Sequence, residues 1–370
     1  MAGEVNIDAV YGNPNNLLDL FEQSVAKYGN NRLFGAKNPA SGTYEWVTYK
    51  QVADRVNNLR GALKKMGLSK GDSVGVILHN CTEWFICEQA IHGLGGVFVP
   101  MYLQELPKVI EYIVRDAAVK FLFVAHAGVY EKIKNFKNDI PELRDIFIIF
   151  GEGENSMKAL EEMGSKNPAP SIKLTWSDLS SIIYTSGTTG DPKGVELTHG
   201  NMAMSAKSSI DTFGLDETMH VVAILPWAHI FGQNADLHNY VYCGGGVAFA
   251  ESLEKLVQNF QEVKPTGLSV VPRIVNKIYD TVLQGVSADL IARLPELGIS
   301  SISNMLSAVK MAKYYEMGPN DVVMTIATDS MEMYGSRIDE YRELEGEFTP
   351  LTAAGVYHRY LMGESTDNLL

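Results

Sequence analysis

The chain has 370 residues, 46% of them hydrophobic and 20% charged. Such a balance excludes disordered and fibrous classes, and at about 150 residues per domain the length predicts two to three domains. A formal charge of -13 repels a phosphate backbone, and no Lys/Arg stripe offsets it, so nucleic acid is not expected as a partner.

Eight histidines lie without ligand spacing, and Cys81, Cys87 and Cys243 form neither a disulfide framework nor a zinc pattern. A reducing compartment follows from the cysteines. Met1 to Pro14 carries two acids and no base, and no run of about 20 apolar residues occurs. The expectation is a cytoplasmic chain without a targeting or membrane-spanning segment, contact with a membrane surface being left open.

In chain order, Thr48 opens a stretch in which Val52, Val56, Leu59, Leu63 and Met66 recur at intervals of three and four before Gly67. The spacing predicts a capped amphipathic helix. Strand-like "SVGVIL", helical "TEWFICEQAIH", strand-like "GVFVP", helical "LPKVIEYIVRDA" and strand-like "KFLFVA" and "IFIIF" follow. Polar Gly151 to Lys173, with breakers "GEGENS" and "KNPAP", reads as a connecting loop.

Alternation resumes with "VVAIL", helical "IFGQNADLHNYV", "GVAFA", helical "SLEKLVQNF", "LSVV" and helical "PRIVNKIYDTVL". The fold class expected is α/β, with layered, largely parallel sheets and helices on both faces. From about Ala288 the chain changes character: residues 288–370 hold 13 acids and 6 bases, net -7, against -6 for the longer remainder. A helix over Ser301 to Gly318, strand-like "DVVMTIAT" and an acidic helical tail predict a small, mostly helical α/β segment.

Between the two alternating runs, strand-like Ser181 to Tyr184 leads straight into "TSGTTGDPKGV". In open α/β sheets ligands bind beyond the carboxyl ends of strands, where this loop falls. Its glycines free backbone N–H groups to turn inward, its hydroxyls add donors, and Lys193 adds a charge, so a nucleotide triphosphate is the natural ligand. The glycine spacing is not that of a Walker loop, and a plain surface loop is the bland alternative. "GLSKG" fits the nucleophile-elbow pattern but stands in a helix, turn, strand order that the elbow does not allow.

"YTSGTTGDPKGV" is similar to the phosphate-loop signature of AMP-forming acyl-CoA synthetases. "WVTYKQVADRVNNLRGAL", "GDSVGVILHNCTEWFICEQAIHGLGGVFVPMY", "LPWAHIFGQ" and "VVPRIVNKIYD" extend the resemblance over about Leu17 to Val286. The last two look most like the long-chain fatty acid branch. The resemblance implies ATP-dependent adenylation of a fatty acid and transfer of the acyl group to coenzyme A, with magnesium.

It further implies that Thr185, Ser186, Gly187, Thr188, Thr189, Gly190 and Lys193 contact the ATP phosphates. Thr188, Lys193 and His229 become the catalytic candidates, and Trp227 and His229 the acyl-site candidates. Trp227 fits a core residue equally well, and His229 a satisfied core histidine. The family's later adenine, ribose and catalytic-lysine segments have no match: Tyr334-Gly335-Ser336-Arg337 shares only an opening pair with the first, and Thr189-Gly190-Asp191 belongs to the phosphate loop. A non-catalytic nucleotide- or acyl-binding module is the alternative in a different class.

From about Leu294, "LPELGISSISNMLSAVKMAKYYEMGPNDVVMTIATDSMEMYGSR" resembles the C-terminal part of fold-type II pyridoxal-phosphate enzymes. That likeness implies that Thr328, Asp329 or Ser330 faces a pyridine nitrogen. The aldimine lysine and cofactor phosphate loop of that family have no counterpart, so pyridoxal phosphate is not expected to bind. The expected organisation is a synthetase-like domain over 1–286 and a fused fragment over 287–370, joined near Gly285 to Ala288.

Overall fold

A computed structural model of the chain describes Gly12 and residues 14–185, 191–269 and 271. The chain divides into Met1–Ile278 and Tyr279–Leu370, and all described residues belong to the first. Several sequence expectations therefore lie outside the described residues. They are Ser186 to Gly190, all of "PRIVNKIYDTVL", the join near Gly285 to Ala288, the helix over Ser301 to Gly318, "DVVMTIAT" with Thr328, Asp329 and Ser330, and the acidic tail.

Helix α1 (Leu17–Tyr28) precedes a hairpin of β1 (Arg32–Lys37) and β2 (Tyr44–Thr48). Helix α2 (Tyr49–Lys65) starts on a capping box: Thr48 Oγ1 accepts from the Gln51 N–H at 3.3 Å, and Gln51 Oε1 accepts from the Thr48 N–H at 2.8 Å. The predicted stripe of Val52, Val56, Leu59 and Leu63 is buried, and Gly67 takes the left-handed φ of 87° that ends the helix.

The strands β3 (Ser73–Ile77), β4 (Val97–Met101), β5 (Val119–Val124), β6 (Asp145–Ile148), β7 (Leu179–Thr185) and β8 (Lys193–Thr198) form one sheet. Its order is β6-β5-β3-β4-β7-β8, parallel throughout except for the β7–β8 hairpin. Helices α3 (Thr82–His92), α4 (Pro107–Asp116), α5 (Ala127–Ile133), α6 (Phe136–Asp139) and α7 (Met157–Ser165) connect or flank these strands.

A second sheet, of order β2-β1-β10-β9, adds β9 (His220–Ala223) and β10 (Gly246–Phe249) to the first hairpin. It pairs β1 with β10 in parallel, Phe34 facing Val247. Between β8 and β10 run α8 (His199–Phe213), the short α9 (Ile230–Gly232), a π-helical turn Gln233–His238 and α10 (Asn239–Cys243), and α11 (Leu256–Val263) follows β10.

Among the described residues, side-chain burial separates three apolar clusters. The largest runs through α1, α2, α3 and α10 and takes in Phe34, Phe98, Phe121 and Trp227, so it lies between the sheets. A second joins β5 to α4 and α5, and a third joins Val222 and Ala248 to Leu256. Every residue of α3 from Trp84 to His92 is buried, which is why "TEWFICEQAIH" has no polar stripe: it is a middle-layer helix.

The polar stretch Gly151 to Lys173 departs from expectation. It contains α7, capped by Ser156, whose Oγ accepts from the Ala159 N–H at 3.2 Å. Met157 and Leu160 are buried. Two apolar residues suffice here because Gly61 and Gly164 let the backbones of α2 and α7 touch; a Cβ on Gly164 would lie 1.6 Å from the Asn58 carbonyl oxygen.

Candidate active site

Strands β3, β4, β7 and β9 all end on one side, and two cavities open there. The hairpin β7–β8 forms because alternating "SIIYT" and "KGVELT" pair antiparallel. Its last register pair sets Thr185 directly opposite Lys193. Both Thr185 and Lys193 are exposed.

The larger cavity, about 780 Å³, is lined by Tyr184, Thr185, Asp191 and Pro192 from the hairpin, by Pro100 to Tyr102 and by His229. Its volume is in the range of small-molecule sites. Tyr184 fixes the base of the hairpin by donating to Asp116 Oδ2 at 2.6 Å. Burial, with that carboxylate beside it, pushes the Tyr184 hydroxyl pKa up, so it remains a donor. Lys108 and Glu105 add charge at the rim.

His229 is exposed and caps α9: its Nδ1 accepts from the Phe231 N–H at 3.1 Å. In the neutral imidazole the proton therefore sits on Nε2, which makes that nitrogen a donor. Trp227, two residues earlier, is wholly buried among Trp84, Phe34 and Phe249, at ring-centroid distances of 5.5, 6.0 and 5.6 Å. Its neighbours Pro226 and Ala228 line the second cavity, about 400 Å³, together with Leu78 to Asn80 and Tyr102 to Gln104.

The structure thus brings Thr185 and His229 to one cavity, puts Lys193 at the foot of the loop beside it, and sinks the Trp227 ring into the core. Ser186, Gly187, Thr188, Thr189 and Gly190 lie outside the described residues. Sequence reasoning passed over Asp191 and Tyr184 at the cavity, and Asn80 and Asp236 behind it. A polar residue in the short turn between a strand and a helix, such as Asn80, and a lone acid on the buried side of "IFGQNADLH" were the available signals.

Among the described residues no three His, Cys, Asp or Glu side chains stand together as metal ligands, and no helix is long and apolar enough to cross a membrane.

The family model described as AMP-binding enzyme matches residues 21–335. Long chain acyl-CoA synthetase 5 of Arabidopsis thaliana is 29% identical over 292 residues, which cover 73% of this chain and 44% of that protein. The peroxisomal long chain acyl-CoA synthetase 7 of the same plant is 30% identical over 305 residues, 77% and 43% of the two chains. The chain spans less than half the length of these two relatives. A solved long-chain-fatty-acid-CoA ligase from Archaeoglobus fulgidus superposes with a TM-score of 0.66 at 25% identity, over 73% of this chain and 55% of that one. Parallel sheets flanked by helices are the fold of the acyl-CoA synthetase N-terminal domain, and with a family match over most of its length this chain belongs to the AMP-binding enzymes.

Proposed function

We propose that this chain carries the adenylating site of a long-chain acyl-CoA synthetase, binding ATP and a fatty acid and activating the acid as acyl-AMP. The observation that carries this reading is the hairpin pairing that sets Lys193 opposite Thr185, beside a cavity that Thr185 and His229 both line. In the first step an oxygen of the fatty acid carboxylate bonds to the α-phosphorus. The bond from that phosphorus to the bridging oxygen breaks, and pyrophosphate leaves with the electron pair. Coenzyme A, by family likeness, supplies the thiolate that then bonds the acyl carbon and releases AMP.

Negative charge grows on the departing pyrophosphate, so fixed donors aimed there stabilise the transition state more than the ground state. Lys193, the hydroxyls of Thr185, Ser186, Thr188 and Thr189, and the N–H groups freed by Gly187 and Gly190 are the proposed donors. His229 presents an Nε2 donor from the opposite wall, and Trp227 backs that wall from the core. Magnesium fits as an ion that arrives on the nucleotide phosphates, because such ions keep few protein ligands.

Fatty-acid-dependent ATP/pyrophosphate exchange on the purified chain, with palmitate as the acid, tests the reading. Exchange that Lys193→Ala lowers at least tenfold supports it. No exchange from a folded sample that still binds ATP saturably would replace it with a non-catalytic nucleotide-binding module.

For residues 287–370 the proposal is a fused segment akin to fold-type II pyridoxal-phosphate enzymes, with its join near Gly285 to Ala288. Its support is the sequence likeness from Leu294 onward. The AMP-binding match runs on to residue 335, across that join. Limited proteolysis separates the two readings: early cleavage at 285–288 favours a fusion, and a single cooperative unfolding transition without cleavage there ends it.

A further inference from the structure

The segment Ile224 to His229 carries the chain from β9 to the wall of the larger cavity, and it belongs to neither sheet. Away from any strand partner, its first backbone N–H groups need acceptors from elsewhere. The N–H groups of Ile224 and Leu225 both donate to Asp236 Oδ2, at 2.9 and 2.8 Å. The Leu225 carbonyl accepts from Asn80 Nδ2 at 2.8 Å, and the Trp227 N–H donates to Asn80 Oδ1 at 2.9 Å. Pro226 has no N–H, and its carbonyl accepts from the His229 N–H at 3.0 Å.

Every backbone donor from Ile224 to Trp227 is therefore held by two side chains. Asp236 is wholly buried and comes from the π-helical turn. Asn80 stands three residues beyond β3, in the connection from the other sheet to α3. Its carboxamide grips the chain on both sides of Pro226, as a neighbouring strand's peptide would. Gly232 presses from behind: a Cβ there would meet the Pro226 oxygen at 2.3 Å.

We propose that Asn80 and Asp236 are positioning residues that clamp Ile224 to His229 as a preformed wall of the substrate cavity, Asn80 tying that wall to the six-stranded sheet. The part concerning substrate rests on the adenylating function proposed above. The clamp fixes where Ala228, His229 and Ile230 stand, so its loss enlarges and blurs the acid-binding wall while leaving the phosphate loop on its own hairpin.

Two measurements on the full chain test this. Amide hydrogen exchange at Ile224, Leu225 and Trp227, read by NMR or by peptide mass spectrometry, reports the clamp directly and needs no turnover. Asn80→Ala should speed exchange at Trp227 tenfold or more, with amides of β5 unchanged. Asp236→Leu should do the same at Ile224 and Leu225, whereas Asp236→Asn, which keeps an acceptor oxygen, should largely preserve protection.

In palmitate-dependent ATP/pyrophosphate exchange, Asn80→Ala should raise the KM for palmitate about tenfold and change the KM for ATP less than threefold. A merely structural defect would lower the active fraction with both KM values intact. Unchanged protection in Asn80→Ala overturns the clamp. Lost protection with an unchanged palmitate KM overturns its positioning role. Absence of exchange in the wild type defeats the adenylating function and, with it, the substrate part, while hydrogen exchange still decides the clamp. If Asp236→Leu fails to fold, the Asn80→Ala result stands by itself.

Discussion

The imidazoles of His92 and His199 meet edge to face, ring centroids 4.7 Å apart and planes 73° apart, and neither ring is exposed. Burial pushes the His92 pKa down to about 3 and that of His199 down to about 4. Glu88 lies close enough to favour the His92 cation, and Asp178 that of His199, yet burial outweighs both. An unfolded histidine takes up its proton near pH 6.5, while these folded rings stay neutral until pH 4 and 3. Their contribution is whole above about pH 6.5 and is lost as pH falls through that window. Asp236 opposes them: burial raises it to about 6, so between pH 3.8 and 6 the folded state holds a proton that the unfolded state has released. Two histidines outweigh one carboxyl. Urea midpoints should fall from pH 7 to pH 4.5, and His199→Phe, which removes one titrating ring and keeps its bulk, should flatten the slope. An equal slope in wild type and variant would contradict this assignment.

Gly164 lets α7 lie backbone to backbone against α2. A methyl group there would lie 1.6 Å from the Asn58 oxygen, so α2 and α7 must part to admit it. Gly164→Ala should destabilise by about 2 kcal/mol or more, as overpacking of an unyielding site does. Lys166→Ala, exposed two residues on, should stay within about 0.5 kcal/mol. Equilibrium urea denaturation of both compares them.

Glu88 and His238 form a wholly buried pair, with Nε2 to Oε1 at 3.0 Å. Burial pushes the Glu88 carboxyl up, and His238 beside it more than reverses this, leaving it below its ordinary value. Removing one partner strands the other: Glu88→Leu or His238→Leu should each cost about 3–5 kcal/mol. The double variant should cost clearly less than the two together, and a double-mutant cycle by chemical denaturation measures the difference.

Lys193 is exposed at the mouth of its hairpin, so its value lies in charge rather than packing. Lys193→Ala should leave the urea midpoint within about 0.5 kcal/mol of wild type while weakening ATP binding, measured by calorimetry. A large stability loss would instead mark Lys193 as a structural residue.

Much of the sheet frame was legible. "TEWFICEQAIH" is α3 residue for residue, and Thr48 with Gln51 forms the cap that opens α2. Apolar runs bounded by breakers read as strands because parallel strands are buried on both faces. Hidden from such reading was whatever depends on partners far away in sequence. The division into two sheets rests on β1 finding β10, and α7 exists because a glycine in α2 admits it. At the site, the composition of "TSGTTGDPKGV" marked a ligand loop after a strand, whereas the return strand Lys193–Thr198 that makes it a hairpin went unread. The cavity's other wall is shaped by Asn80 and Asp236, whose contacts lie up to 147 residues apart and leave no periodic trace.

The pairing of Phe34 with Val247 bears on synthesis as well as stability. A ribosome delivers α3 early, and the parallel strands of the larger sheet can assemble around β3 as they emerge. The smaller sheet has to wait, because β1 and β2 hold only a hairpin until Phe249 leaves the exit tunnel. Through that interval the aromatic face of α3, Trp84 and Phe85 included, lacks its second cover. Nascent chains halted between β8 and β10 should therefore be the ones that chaperones retain, and release should follow addition of the last strand rather than the completion of any helix.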